Sequence, residues 1–209
     1  MEKPIINYES LIRITRSISM IRDPDEIVLV SVEGVTSALN VKGCALFLVD
    51  RKNDTLSLAG HYGLTQEYLD KGPVSAMRSI ASSMEDGQPV AIYDVNDDPR
   101  IQYPEAAKQE GIASILSVPM IIGERIIGCL RVYTAKPWEF GLNDVNFVQA
   151  VAQVVGMALE MCRINKGYKE SIDILKSMRD PRTLKFNKRT PYEGVPKSFS
   201  KEEVSRASA

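Results

Sequence analysis

The sequence has few cysteines and histidines and lacks the long apolar runs of membrane proteins. Its three cysteines lie far apart and form no CxxC pair, which argues against a disulfide framework or a structural zinc site. The single histidine, His61, has no second histidine or cysteine near it and is a poor metal ligand. No segment approaches about 20 consecutive apolar residues, and no secretory signal opens the chain. We therefore expect a cytoplasmic protein that holds no metal and contacts no membrane.

Motifs of the common enzyme classes are also missing. The sequence contains no GxxxxGK[ST], GxGxxG, HExxH or GxSxG. The adjacent carboxylates Asp97 and Asp98 are poorly placed to act as an acid and a base across a substrate. Cys44 and Cys129 lie in apolar runs, so we interpret them first as small hydrophobic residues and second as redox centres. These absences predict a non-enzymatic protein, and no catalytic residue is assigned.

The overall composition is typical of a globular protein, but charge is unevenly distributed along the chain. The chain has 209 residues, 26 Lys+Arg and 27 Asp+Glu, and a formal net charge of −1. Residues 1–165 carry 15 basic and 21 acidic side chains, whereas residues 166–209 carry 11 and 6. This asymmetry predicts a C-terminal segment with its own role. The alternatives for that role are binding of a protein partner, binding of nucleic acid, or solubility alone.

Four segments are predicted along the chain. They are an N-terminal amphipathic helix (1–22) packed on the domain, the domain itself (23–165), an extension of its last helix (166–180) and a basic tail (181–209). The tail has three prolines, many charges and little periodicity, as expected of an extended or disordered segment. Its cations Lys185, Lys188 and Arg189 surround Phe186, a composition that also suits single-stranded nucleic acid.

Two helices are predicted at the start of the chain. Apolar residues recur every three or four positions from Tyr8 to Ile21, which indicates one face of an amphipathic helix. Asp23 is expected to cap a second helix that runs from Pro24 to about Leu39. We expect the core face of this second helix to consist of Ile27, Val30, Val35 and Leu39.

Two β-hairpins are predicted next. The first joins 43–50 to 55–63, and the second joins 114–122 to 125–134 through Gly123-Glu124. Pro119, inside the second hairpin, predicts an edge strand or a bulge. Between the hairpins we expect short helices at 67–71 and 79–85, a strand at 89–95, a polar loop at 96–104 and a helix at 105–110.

The last predicted element is a helix that begins near Leu142 and exceeds thirty residues. A core of this size covers only part of so long a helix, so its C-terminal half is expected to leave the body. That half carries a seam of apolar residues spaced for helix pairing, at Met161, Ile164, Tyr168, Ile172, Leu175 and Met178. We therefore predict a homodimer formed through the N- and C-terminal helices.

The order of these elements resembles a GAF domain, a small-molecule sensor module related to the PAS fold. The most specific match is residues 114–164, where Pro119 follows a Ser-rich strand, Gly128 lies in an aliphatic strand, and Phe140 and Asp144 precede an Ala-rich helix. The resemblance implies an α+β fold. In that fold an antiparallel sheet carries the N- and C-terminal helices on one face and a ligand-pocket segment on the other.

The resemblance does not extend to the better-defined ligand classes of the family. Cyclic-nucleotide-binding members carry Asn-Lys where this chain has Thr134-Ala135. Residues 94–112, which look like the pocket-closing segment, contain neither the Cys of bilin-binding members nor the His of haem-binding members. Cys44 and Cys129 lie in predicted strands and not on loops as in free methionine sulfoxide reductases. We predict none of these activities, and the cofactor is unassigned.

Candidate ligand-binding residues follow from strand alternation. Alternation places Cys129, Arg131 and Tyr133 on one strand face, opposite the aliphatic Leu130 and Val132. A buried Arg131 requires an anionic partner, either a ligand or a structural carboxylate. That carboxylate would be Asp94, Asp97 or Asp98.

The loop at 96–104 supplies two further candidates. Arg100 and Tyr103 either cover the pocket or belong to a solvated loop. The complete set of predicted ligand-binding residues is Arg131, Tyr133, Cys129, Arg100, Tyr103 and Asp94.

Three functions compete at this point. The first is a stand-alone sensory module that binds a small molecule, which would be anionic if Arg131 binds it, and signals through a homodimeric helical interface to a separate partner. The second is a scaffold or adaptor with a GAF fold and a pocket filled by its own side chains. The third, the least favoured, is a thiol-dependent redox enzyme that uses Cys44 or Cys129.

Overall fold

The computed structural model describes residues 8–53, 55–75 and 87–179, with 178 and 179 described by their backbone alone. The chain divides into two compact units, Met1–Asn165 and Lys166–Ala209. The predicted helix at 79–85 and the predicted tail at 181–209 lie outside the described residues.

The described elements follow the order that the sequence pattern predicts, with the short strand β3 as an addition that was not predicted. In chain order they are α1 (Tyr8–Met20), α2 (Pro24–Leu39), β1 (Gly43–Asp50), β2 (Thr55–Tyr62), α3 (Gln66–Leu69), β3 (Val74–Ser75), β4 (Val90–Ile92), α4 (Pro104–Gln109), β5 (Ser114–Ile122), β6 (Arg125–Thr134) and α5 (Leu142–Arg179). The six strands form one antiparallel sheet in the order β3-β2-β1-β6-β5-β4. Both predicted hairpins are confirmed, and they meet in the middle of the sheet where β1 pairs with β6.

The start of α2 is fixed by the predicted cap. The Asp23 carboxylate accepts a hydrogen bond of 2.8 Å from the backbone N–H of Asp25, and Pro24 occupies the first turn, where a missing N–H costs nothing. The core face of α2 was predicted only in part. Val30 is half-buried, while Val28 and Val32 are buried beside the predicted Ile27, Val35 and Leu39.

Pro119 was predicted to mark an edge strand or a bulge. Strand β5 is not an edge strand, because β6 and β4 flank it. However, β4 pairs only with residues 115–117, so Pro119 lies beyond the end of β4, and the register shifts between Met120 and Ile121. The proline therefore lies where β4 does not pair with β5, one residue before the bulge.

The helices cover one face of the sheet. Ile14 and Ile18 of α1, and a row of residues of α2, are buried with Val148 and Val151 of α5 against the aliphatic side of β1, β5 and β6. Gly34 permits the close approach of α1, because an added Cβ would lie 2.7 Å from Cγ1 of Ile14. The predicted placement of the N- and C-terminal helices on one face is thus confirmed.

The opposite face carries a second, smaller core. It contains Phe47 of β1, Cys129 and Tyr133 of β6, and Tyr68 of α3, together with residues of β4 and α4. Alternation along β6 is the cause, because Leu130 and Val132 belong to the helix-side core and their neighbours to this one.

Helix α5 begins at a hydrogen-bonded turn. The buried Asp144 accepts from the backbone N–H of Gly141 at 2.8 Å and from the indole Nε1 of Trp138 at 3.2 Å.

The most apolar 18-residue window of α5 has a mean hydropathy of 1.4, so the helix is long and apolar enough to cross a membrane. This is weak evidence for a membrane span, because core helices pass the same test and Val151 and Val155 are buried against the sheet.

At Gly128, strand β6 has no room for a side chain against β1. A Cβ at this position would lie 2.1 Å from the carbonyl oxygen of Phe47 and 2.7 Å from Cε of Met120. We expect Gly128→Ala to reduce the free energy of unfolding by about 3 kcal/mol, measured by urea denaturation. Gly167→Ala is the control, since nothing lies within 4 Å of its added Cβ, and it should leave stability unchanged or raise it. Equal stability of the two variants would contradict the packing described here.

Candidate ligand-binding site

A cavity lies on the pocket side of the sheet, between β6 and the segments that follow β2 and β4. It is small and partly open to solvent, with room inside for about one water molecule. Its lining consists of two cations (Lys71, Arg131), three tyrosines (Tyr68, Tyr103, Tyr133), one amide (Gln102) and four apolar residues (Phe47, Val74, Ile101, Ile115). The lining therefore combines positive charge with an apolar wall.

Arg131 lies at the floor of this cavity. It is only 4% exposed, and its neighbours across the sheet, Ala45 on β1 and Ser117 on β5, are small enough to leave room for the guanidinium. The Cζ atom is 5.2 Å from the centroid of the Phe47 ring, an arrangement that favours the charged form. Burial lowers the pKa of Arg131, but Cys129 and the nearby tyrosines outweigh that effect and the net shift is upward. Arg131 is therefore a permanent buried cation.

Lys71 supplies a second cation, and the sequence analysis did not identify it. Its Nζ donates a hydrogen bond of 2.9 Å to the carbonyl oxygen of Tyr68 and lies 3.5 Å from the centroid of the Tyr68 ring. Burial, and next the charge of Arg131, lower the pKa of Lys71 to about 8, while Glu110 acts in the opposite direction. The two cations are therefore close enough for each to make the other less favourable.

Two tyrosine rings line the cavity together with these cations. Tyr68 and Tyr133 contact each other edge to face, with ring centroids 5.9 Å apart. Burial raises the pKa of Tyr68 to about 12, and burial also raises the pKa of Tyr133. Both hydroxyls therefore keep their protons at neutral pH.

The mouth of the cavity is held by hydrogen bonds between two loops. The Tyr103 hydroxyl and the Gln102 amide both donate to the carbonyl oxygen of Pro73, at 2.9 and 3.1 Å. The backbone N–H of Ser75 donates to the Gln102 amide oxygen at 3.0 Å. Gly72 has φ +123°, and a Cβ there would lie 2.9 Å from the Tyr103 hydroxyl, so this contact requires glycine.

Glu110 anchors α3, and with it Tyr68 and Lys71. Its carboxylate accepts hydrogen bonds from the hydroxyl and the backbone N–H of Thr65, the N-cap of α3, and pairs with Lys42 at 3.2 Å. Burial raises the pKa of Glu110, but the bonds from Thr65 and Lys42 outweigh it and the net shift is downward. The carboxylate therefore stays ionised and joins α3 to the end of α4.

Only some of the six predicted site residues lie together at the cavity. Arg131, Tyr133 and Tyr103 line one cavity, and Cys129 lies on the same face of β6 and hydrogen-bonds to Arg131. Arg100 lies on an exposed loop and pairs with Asp98 at 2.5 Å, and Asp94 accepts from the backbone and side chain of Asn96. Arg100 and Asp94 are not among the residues that line the cavity, and their role in binding stays a prediction.

The thiols and the histidine lie apart from the cavity lining. Cys44 and Cys129 are fully buried, and burial raises the pKa of Cys44 far above that of a free thiol. Such a thiol is a poor nucleophile at neutral pH. His61 on β2 is half-buried, and its Nδ1 makes no hydrogen bond with the part of the chain that the structure describes.

The family model for the GAF domain matches residues 21–160. The chain belongs to the GAF domain family. This family commonly acts in signal transduction and small-molecule binding. Comparison with curated proteins gives no match.

Solved structures with the same fold come from several functional classes. The GAF domain of a Coxiella burnetii phosphoenolpyruvate-protein phosphotransferase aligns with a TM-score of 0.69 and 18% identity, over 77% of this chain and 96% of that one. The corresponding Acinetobacter domain has a TM-score of 0.67 and 19% identity, over 75% and 94%. A free methionine-R-sulfoxide reductase from Neisseria meningitidis, solved with its substrate, has a TM-score of 0.67 and 19% identity, over 76% and 90%. At these identities the similarity shows the fold and leaves the ligand open.

The lowered pKa of Lys71 predicts how stability depends on pH. The folded protein releases this proton at about pH 8, whereas the unfolded chain keeps it until about 10.5, so stability should rise between these values. We expect the stability of the wild type relative to Lys71→Met to increase from pH 8 to pH 10, measured by urea denaturation at constant ionic strength. The variant lacks the titrating amine, so the difference isolates Lys71. A constant or falling difference would contradict the position assigned to this amine.

Proposed function

We propose that this GAF domain is a non-enzymatic sensor that binds a small anion in the cavity beside Arg131. The observation that carries the proposal is the presence of two cations, Arg131 and Lys71, in the lining of one small cavity. A guanidinium can bind a carboxylate or phosphate through two parallel hydrogen bonds, which fixes the orientation of the anion. An anion near both cations would also offset the repulsion from Arg131, which after burial is the second cause that lowers the pKa of Lys71.

The thiols support a binding function over redox catalysis. A cysteine that attacks a substrate needs access to it and a lowered pKa. Cys44 and Cys129 are buried, and the pKa of Cys44 is raised. Cys162, half-buried on α5, donates a long hydrogen bond of 3.4 Å to the carbonyl oxygen of Arg22. We therefore interpret the similarity to a methionine-R-sulfoxide reductase as a similarity of fold.

The route from the cavity to the helices runs through β6. Arg131 faces the cavity, while the adjacent Leu130 and Val132 pack in the helix-side core with Val148 and Val151 of α5. A shift of β6 on ligand binding would therefore reach α5 through direct packing. A separate partner, contacted through residues 166–209, would receive the signal. Nucleic acid is the less favoured alternative, and a scaffold with an unused pocket is the competing function.

The ligand hypothesis is tested by stabilisation against heat. Arg131→Gln removes the buried charge but keeps a polar side chain of intermediate length. We expect small carboxylates and phosphate at millimolar concentration to raise the melting temperature of the wild type and to have no effect on this variant. Arg125→Gln is the matched control, since Arg125 is exposed and pairs with Glu160, and it should respond like the wild type. Equal stabilisation of all three proteins, or of none, would favour the scaffold function.

We also propose a homodimer formed through the first and last helices. Apolar side chains on α5 are exposed every three or four residues, namely Met157, Met161, Ile164, Tyr168, Ile172 and Leu175, and Ile12 and Met20 are exposed on α1. Exposed apolar stripes of this spacing are typical of helix-pairing surfaces.

The dimer is tested by sedimentation of charged variants. Ile172→Glu places a charge in the apolar stripe and should shift the protein from dimer to monomer. Lys169→Glu is the control, because position 169 is not part of the stripe and the charged residue already there is exposed, so the dimer should persist. A wild-type protein that sediments as a monomer would contradict the proposed interface.

A further inference from the structure

The cavity beside Arg131 is smaller than the anions that the proposed function requires. It has room inside for about one water molecule, and a carboxylate or phosphate group is larger than water. Part of the lining must therefore move before such an anion can enter. The lining elements differ in how firmly they are held, and this difference indicates which of them moves.

The floor of the cavity is fixed by the sheet. Phe47, Ile115 and Arg131 lie on β1, β5 and β6, and each of these strands has a neighbouring strand on both sides. The opposite faces of β1 and β6 are packed in the helix-side core through residues such as Leu46 and Leu130. Moving these strands far enough to admit a ligand would break backbone pairing and disturb a close-packed core.

The α3 side of the cavity is anchored as well. Tyr68 belongs to α3, whose N-cap Thr65 donates its hydroxyl and backbone N–H to the Glu110 carboxylate. The same carboxylate pairs with Lys42, which directly precedes β1. Helix α3 is thereby joined both to the end of α4 and to the start of the sheet.

The remaining lining residues lie on two loops. The first loop, residues 70–75, contributes Lys71 and Val74 to the lining. It pairs with the sheet through β3, which has two residues. The second loop, residues 93–103, contributes three consecutive residues, 101–103. These loops are therefore attached to the sheet less extensively than the floor is.

Hydrogen bonds through Gln102 and Tyr103 join the two loops, and we call this contact the clasp. The Tyr103 hydroxyl and the Gln102 amide donate to the carbonyl oxygen of Pro73, at 2.9 and 3.1 Å, and the backbone N–H of Ser75 donates to the Gln102 amide oxygen at 3.0 Å. Pro73 is exposed and both side chains are half-buried, so water can replace the lost partners when the clasp opens. The net free energy of each such bond is small.

Gly72 gives the first loop a point about which it can turn. It lies between the anchored α3 and the clasped Pro73, and its φ of +123° is a conformation that favours glycine. Hinges are typically a few loop residues that absorb a change in backbone angles. The tight fit of Gly72 under the Tyr103 hydroxyl places this point directly beside the clasp.

We infer that the clasp is the gate of the cavity. Release of the Gln102 and Tyr103 hydrogen bonds lets the two loops part, while the floor and α3 stay in place. This inference rests on the proposed function, which supplies the ligand, and it names the residues that control access to the site. Opening is a local event and does not require the domain to unfold.

Hydrogen exchange tests the opening without any ligand. In the wild type, exchange of the Ser75 amide should be nearly independent of urea below the unfolding transition, whereas exchange of the Val132 amide in β6 should accelerate with urea. Tyr103→Phe removes a clasp bond but keeps the ring, and the Ser75 amide should exchange about fivefold faster, the factor that one neutral hydrogen bond contributes. Tyr93→Phe is the matched control, since Tyr93 is exposed on the same loop and is not part of the clasp, and it should leave this rate unchanged.

Thiol labelling tests access to the cavity itself. Ile115 is 4% exposed on the floor, so Ile115→Cys, made together with Cys162→Ser, places a thiol inside. Its modification by methyl methanethiosulfonate, followed by mass spectrometry of peptides, should be slow and about fivefold faster when Tyr103→Phe is added. Cys44, buried in the helix-side core, reports global unfolding in the same sample. If Ile115→Cys fails to fold, Val74→Cys makes the same comparison, because Val74 is also buried in the lining.

The possible failures are distinguishable. Ser75 exchange that rises with urea in parallel with Val132, or Ile115→Cys labelling that Tyr103→Phe leaves unchanged, would overturn the gate. Labelling of Ile115→Cys as fast as that of an exposed thiol would also overturn it, because the cavity would then be permanently open. Neither experiment contains an anion, so the gate can stand if no anion binds. Conversely, stabilisation by phosphate that depends on Arg131 would uphold the proposed function even if the clasp variants behave like the wild type.

Discussion

The structure depends on the alternation of a single central strand, β6. Its even-numbered residues Leu130 and Val132 are buried against the helices, and this places Arg131 and Tyr133 on the other face. A slip of one residue would bury the guanidinium among aliphatic side chains and expose the leucine and valine, so the register is strongly determined. The close contact of Gly128 with β1 and the small neighbours Ala45 and Ser117 belong to the same register. The register of β6 therefore determines both the helix-side core and the cavity.

Much of the fold was predictable because local signals and tertiary packing agree. The Asp23 cap, the two hairpins and the length of α5 follow from residue types at fixed spacings. The core face of α2 was predicted less well. This helix is apolar on more than one side, so periodicity alone could not choose Val28 and Val32 over Val30.

The site was less predictable than the fold, for a physical reason. Arg131 was identified because a charge inside an aliphatic strand is anomalous by itself. Lys71 looks like an ordinary surface residue after a short helix, and only the folded chain brings it to the same cavity, beside Tyr68. Arg100 is the opposite case, because the sequence made it a pocket candidate. In the structure its guanidinium pairs with the carboxylate of its loop neighbour Asp98 and stays at the surface.

The sheet also has a feature that bears on solubility. Its two edge strands are the shortest ones, β3 with two residues and β4 with three. Beyond the end of β4, the neighbouring strand β5 carries Pro119, which has no N–H to offer. Among the residues that the structure describes, either edge offers a second chain only a short ladder of backbone donors and acceptors. Short edge strands and a proline beside one of them are both features that disfavour edge-to-edge pairing of sheets.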